Sequence, residues 1–141
     1  MAGIRTRARG QALQMLYALD VSGGAEPSPT LRVTRESFDI GVEAEGDSFA
    51  QSIVDNASGH LSEIDEELQS ASKNWRLERM STVDRNILRL ATAELMYDES
   101  VPTKVVINEA IELAKLFGTT ESPAFVNGIL DRVAAKVREQ K

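Results

Sequence analysis

Residues 81–97 read STVDRNILRLATAELMY, and this stretch decides the fold class. Projected at 100° per residue, Val83, Ile87, Leu88, Leu90, Ala91 and Leu95 fall on one arc, as an amphipathic helix requires. Ser81 and Asp84 stand in capping-box spacing, with Asp in the place usually taken by Glu or Gln. The same signals recur downstream. VPTKVVINEAIELAKLFG (101–118) has Pro102 near its start and Gly118 just past its end, the asymmetry expected of a helix. SPAFVNGILDRVAAKV (122–137) offers Ser122 as N-cap and Pro123 at the first helical position.

Working upstream, HLSEIDEELQSA (60–71) places Leu61, Ile64 and Leu68 on one stripe, preceded by a weaker helical pattern that ends near residue 59. In GIRTRARGQALQMLYALD (3–20), Leu13, Leu16 and Leu19 with Ala8 and Ala12 follow three-to-four spacing, until VSGGAEPSPT breaks the pattern. A loop is expected at about 21–32. No alternating run suits a strand, and no internal repeat is visible. The expectation is an all-α single domain, residues 1–141, of six or seven helices.

A chain of 141 residues buries roughly two-thirds of its unfolded surface and needs no metal or disulfide to support a core. It has no cysteine, which excludes a disulfide framework, a thiolate zinc site and a cysteine nucleophile. No apolar run approaches the ~20 residues of a membrane span, and the charged N-terminus lacks the apolar stretch of a secretory signal. A cytoplasmic protein is expected. Met1 at one end and the charged REQK at the other look like natural ends. His60, the single histidine, follows Gly59 at an expected helix start and reads as a surface or first-turn residue. A transition-metal site would have to rely on carboxylates alone. There is no phosphate loop, nucleophile elbow or serine-activating histidine. No metal, cofactor or catalytic activity is expected.

Charge is unevenly spread. The net is −6, yet Glu36–Ser72 holds ten acids and no Lys or Arg, leaving 16 basic against 12 acidic residues elsewhere. The acidic stretch reads as a solvated surface. The basic cluster that matters is at the N-terminus, where Arg5, Arg7 and Arg9 alternate. Arg5 and Arg9 project into the sector of Ala12 and Leu16, while Glu94 and Asp84 fall inside the apolar arc of their helix. A carboxylate there is costly unless paired, so Arg9 and Glu94 are expected to form a structural pair. Arg5 and Arg7 are expected to point outward. Arg85 and Arg89, with Thr92 and Met96, lie on the opposite face and read as solvated. Phe125 borders its apolar arc beside Arg132 and Lys136, an arrangement that can stack a base while cations hold phosphates; a boundary aromatic covering the core is the competing reading. Phe117 lies nearer the middle of its arc and reads as core.

Four segments together resemble the NusB transcription antitermination factors: RTRARGQALQMLYALD, WRLERMSTVDRNILRLATAELMYD, VPTKVVINEAIELAKLFG and SPAFVNGILDRV. The likeness covers about residues 5–20 and 75–133 in the family's order. It implies a pair of small helical bundles without catalysis, and binding of single-stranded boxA RNA from ribosomal RNA leaders together with NusE, a small-subunit ribosomal protein. The pair is implied to join RNA polymerase and the other Nus factors. By the same resemblance Arg5, Arg7, Arg9, Phe117, Glu121 and Phe125 match RNA-contact positions, and Tyr17 and Asp84 match the NusE surface. Thr6 stands where an arginine is common in the family, and Ala93 where an aromatic is frequent.

Two other readings compete. A domain of this kind also serves ribosomal RNA cytosine methyltransferases, which need several hundred further residues and a catalytic cysteine. A helical adaptor without RNA is the third; it requires Arg5, Arg7 and Phe125 to be buried or irrelevant to RNA. The oligomeric state, including a weak homodimer, is left open by the sequence.

Overall fold

The computed structural model describes residues 4–21 and 44–138. They form six α-helices and a short 3₁₀ turn: α1 (Ile4–Val21), α2 (Ala44–Gly59), α3 (Leu61–Ala71), the turn Leu77–Arg79, α4 (Thr82–Tyr97), α5 (Thr103–Phe117) and α6 (Ser122–Val137). There is no strand among the described residues, so the all-α expectation holds. The loop expected at about 21–32 lies outside the described residues except for Val21, which ends α1. No described helix is long and apolar enough to cross a membrane.

The chain divides into two compact units, residues 1–55 and 56–141. In the first, α1 buries Ala8, Ala12, Leu13, Met15 and Leu16, and α2 buries Ala50, Ile53 and Val54. Burial on α1 extends past the apolar stripe, because Arg9 and Gln11 are also buried.

In the second unit α4 is central and packs against α3, α5 and α6. From Asn86 to Leu95 every residue but Arg89 is buried. A helix enclosed on several sides has no solvent face, which corrects the wheel reading: Thr92, placed opposite the apolar arc, is fully buried. Each large apolar side chain enclosed here, such as Ile87, Leu88 and Leu90, is worth about 1.5–3 kcal/mol of burial. Leu61, expected on the α3 stripe with Ile64 and Leu68, is exposed because it is the first residue of its helix.

The arginines of α4 are also not solvated in the expected sense. Arg89 donates from Nε to Asp65 Oδ1 and from Nη2 to Asp65 Oδ2, both at 2.9 Å. Arg85 Nη1 donates to the carbonyl of Leu77 at 3.0 Å. Lys136 on α6 lies 3.2 Å from Glu67. Part of the acidic stretch thus faces cations across helix contacts, a geometry that one helix wheel cannot show.

Helix ends follow the sequence signals with two adjustments. Ser81 Oγ accepts from the Asp84 N–H at 3.1 Å, as an N-cap does. α6 begins at Ser122 itself, and the buried Ser122 hydroxyl turns back to accept the Thr119 N–H at 2.9 Å. Gly118 has φ −98°, so its role is not a left-handed cap. A Cβ there would meet Ser122 Cβ at 2.6 Å and the Ala114 carbonyl at 2.9 Å, and only glycine admits that approach. The C-terminus of α4 is closed by Arg138. Its Nε donates to Leu95 O at 2.9 Å, Nη1 to Val101 O at 2.9 Å and Thr103 Oγ1 at 3.3 Å, and Nη2 to Glu94 O at 3.1 Å and Asp98 O at 3.0 Å.

Candidate nucleic-acid interface

The first turn of α1 carries no acid, so the arginines add to the positive end of the helix dipole. Their burial differs. Arg5 and Arg7 are exposed, whereas Arg9 is 3% exposed. A guanidinium prefers the face of an aromatic ring, and Phe49 of α2 supplies one: Arg5 Cζ lies 4.7 Å and Arg9 Cζ 5.1 Å from its centroid. Arg5 is therefore exposed but seated, and Arg7 projects without such a platform among the described contacts. Phe49 gave no signal in the sequence, since it lies in an acidic stretch with weak helical periodicity.

The second group of expected contacts surrounds the turn between α5 and α6. Phe117 ends α5 and is 41% exposed. Its reading as core is corrected: the apolar arc runs to the last residue of the helix, where the ring is only partly covered. Glu121 is exposed and accepts from Thr119 Oγ1 at 3.3 Å. Phe125, half-buried in the first turn of α6, stands edge-on to Trp75, with centroids 5.9 Å apart and planes at 82°. The Gly118–Ser122 packing fixes this turn, and so the spacing between Phe117 and Phe125.

Trp75 is 55% exposed and was missed as a site residue. An aromatic bordered by cations was the signal applied to Phe125. The same signal is present in KNWR, residues 73–76, but outside any helical period that would draw attention to it. Arg132 Nη1 donates to the Ala71 carbonyl at 3.2 Å, which sets its guanidinium beside this aromatic pair.

Of the positions expected to meet a protein partner, Tyr17 is 40% exposed. Asp84 is half-buried in the first turn of α4, where a carboxylate is favoured by the helix dipole. Its Oδ1 has no hydrogen-bond partner among the described residues. Glu94 is 2% exposed. His60 precedes α3, as expected of a first-turn residue, and stacks on Tyr97 with centroids 4.1 Å apart. Burial raises the Tyr97 phenol above its ordinary 10, with Glu63 and Glu67 adding to the effect. Among the described residues no group of three or more His, Asp and Glu is placed to hold a metal ion.

The chain matches the model of the NusB family over residues 6–135. The transcription antitermination protein NusB of Geobacter sulfurreducens is 46% identical over 138 residues, which cover 98% of this chain and 99% of that one. Its counterpart in Trichlorobacter lovleyi is 47% identical over 139 residues, covering 99% and 96%. Among solved structures, T. maritima NusB superposes with a TM-score of 0.86 at 35% identity, covering 99% of this chain and 97% of that one. A chain in the crystal structure of antitermination factors NusB and NusE in complex with double-stranded RNA gives a TM-score of 0.85 at 29% identity, covering 96% and 99%.

Proposed function

The chain belongs to the NusB family, and we propose that it is a transcription antitermination factor. It binds single-stranded boxA RNA of ribosomal RNA leaders together with NusE, and the pair enters the RNA polymerase complex with the other Nus factors. It works in the cytoplasm as a binding protein, with no catalytic step of its own.

The observation that carries this reading is exposure: cationic side chains are open on the first unit, and aromatic rings are open on the second. Arg5 and Arg7 are exposed at the start of α1, and Phe117 and Phe125 flank the α5–α6 turn with their rings partly open. Unpaired bases can stack on such rings, whereas bases inside a duplex cannot reach them. Arg5 and Arg7 hold phosphates, and Arg9 supports them from its buried position over Phe49. Glu121 orders the turn through Thr119 and accepts from base amino groups. Tyr17, exposed on α1, and Asp84, with an unpartnered Oδ1, meet NusE. An adaptor without RNA needs Arg5, Arg7 and Phe125 to be buried or irrelevant to RNA; Arg5 and Arg7 are exposed and Phe125 is half-buried, which leaves relevance to RNA for the titration to decide.

A titration of labelled boxA-like RNA, with and without NusE, tests the reading. Binding that strengthens when NusE is present, and that weakens for Tyr17→Asp only in its presence, is expected. No binding under either condition overturns it.

A further inference from the structure

Trp75, the one tryptophan of the chain, is exposed without being loose. Its backbone N–H donates to Ser72 O at 2.9 Å, and its backbone carbonyl accepts from Gln69 Nε2 at 2.9 Å and Ser72 Oγ at 3.3 Å. With Phe125 edge-on to it, the indole walls a cleft of about 540 Å³ between this turn and α6. That volume lies within the roughly 300–1,000 Å³ usual for ligand sites. Gly128 leaves room in the cleft, since a Cβ placed on it meets nothing within 4 Å.

The cleft has one sign of charge. Lys73 and Arg132 line it and no Asp or Glu does, in a chain with 22 acids against 16 bases. A rigid ring held open to water beside cations is a preorganised platform, because little ordering remains to be done when a ligand arrives. Its complement is a flat, stackable group that carries negative charge close by, which describes a nucleotide.

We propose that this cleft holds one unpaired base of the bound RNA, stacked on the Trp75 indole, with the adjoining phosphate at Lys73 and Arg132. The proposal rests on the RNA-binding reading and adds to it a stacking residue and two phosphate-binding residues that the family resemblance did not supply. The occupant is a base within a strand, because a free mononucleotide gains this stack alone, while a strand tethered at its other contacts meets the cleft at high effective concentration.

The lone tryptophan makes the test direct. Emission of the full chain excited at the red edge, where tyrosine does not absorb, reports Trp75 only, and anisotropy of an end-labelled boxA-like RNA reports binding by any route. Quenching of Trp75 in step with the anisotropy rise is expected. Trp75→Ala should bind RNA about 5- to 150-fold more weakly, the range of one lost base stack, with an unchanged salt slope. Gly128→Leu fills the cleft while keeping the tryptophan, and should weaken binding comparably with its helical circular dichroism intact. Lys73→Ala should flatten the slope of log affinity against log salt by about 0.7, as loss of one phosphate contact does. Full binding with unchanged Trp75 emission, or parent-like affinity in both cleft variants, overturns the proposal and leaves the RNA-binding reading standing. Equal quenching by free uridine or adenosine monophosphate at strand concentrations overturns the assignment to a strand. An emission change on adding NusE alone, with none on adding RNA, overturns it in favour of a protein occupant. Absence of RNA binding with and without NusE overturns both.

Discussion

Arg138 is the side chain whose removal should be felt most for its place in the sequence. All five guanidinium N–H groups have acceptors, at Leu95, Val101, Thr103, Glu94 and Asp98. Four of these acceptors are backbone carbonyls at or just beyond the end of α4, where a helix leaves its last carbonyls without internal partners. A hydrogen bond from a charged donor contributes about 1.5–3 kcal/mol net when buried. This site is half-buried, so water can replace part of what Arg138→Ala removes. Adding the loss of a cation at a helix C-terminus, up to ~2 kcal/mol, the expected cost is about 3–4 kcal/mol. For a chain of this size that is a fall in Tm of roughly 10–15 °C. Arg138→Lys restores the charge but not the planar fork and should recover less than half. Urea melts followed by circular dichroism measure both variants, with an unchanged slope on denaturant confirming that the cost lies in the folded state. A loss below about 1 kcal/mol in the Ala variant, or full rescue by Lys, would refute the reasoning.

Gly118→Ala should cost about 1–3 kcal/mol through overpacking against Ser122 and Ala114 O, and a parent-like melt would show that the turn yields freely. Replacing Arg5 and Arg7 together by Ala should flatten the salt dependence of RNA binding by about 1.4 in the log–log slope; an unchanged slope removes the N-terminus from the interface. Arg9 and Glu94 are both buried charges, and their proposed pairing predicts losses of about 3–5 kcal/mol for Glu94→Ala and Arg9→Ala that do not add in the double variant; additive losses dispose of the pair. Tyr97 holds its proton above pH 10 in the folded chain. The folded state therefore binds that proton more tightly than the unfolded one, and stability complete below about pH 10 declines as pH rises through the folded value. Phenolate absorbance of the parent minus that of Tyr97→Phe measures it, and a value at or below 10 contradicts the burial argument.

The helices that the sequence announces most clearly are those that local chemistry alone defines. α4, α5 and α6 each combine an apolar stripe with a punctuating residue, and Ser81 caps α4 at the residue its spacing indicates. What the sequence hides is anything that depends on a second element. Thr92 looked like a solvent-face residue because a wheel assumes one buried side, and α4 has several. Arg89 looked solvated because its partner, Asp65, is 24 residues away on α3. Arg138 looked like part of a charged tail because four acceptors belong to a turn some forty residues upstream. Within the candidate interface the wheel put Arg5 and Arg9 in one apolar sector; Arg9 is buried there, while Arg5, one turn nearer the helix start, is exposed, as is Arg7. Trp75 and Phe49 carry no period that singles them out, and only their neighbours, Phe125 for one and two guanidinium groups for the other, give them meaning.

A net charge of −6 is compatible with the proposed RNA ligand because the charges are sorted by partner. Asp65 and Glu67 of the acidic stretch are engaged by Arg89 and Lys136 inside the second unit. Among the exposed cations, four stand where the proposed contacts are: Arg5 and Arg7 on α1, and Lys73 and Arg132 at the Trp75 cleft. At physiological salt, screening takes hold within about 8 Å. A phosphate in contact with one of these clusters therefore senses its arginine or lysine far more than acids elsewhere on the chain. Within that screening distance the acids near the surface still oppose approach of a polyanion and slow its association, which disfavours RNA that offers phosphates alone. On the proposed reading a strand overcomes that barrier by adding stacked, unpaired bases at Phe117, Phe125 and Trp75 to its few phosphate contacts, or by arriving with NusE. Selectivity for a short single-stranded element then follows from having few cations near exposed rings, and a uniformly basic surface would lose it.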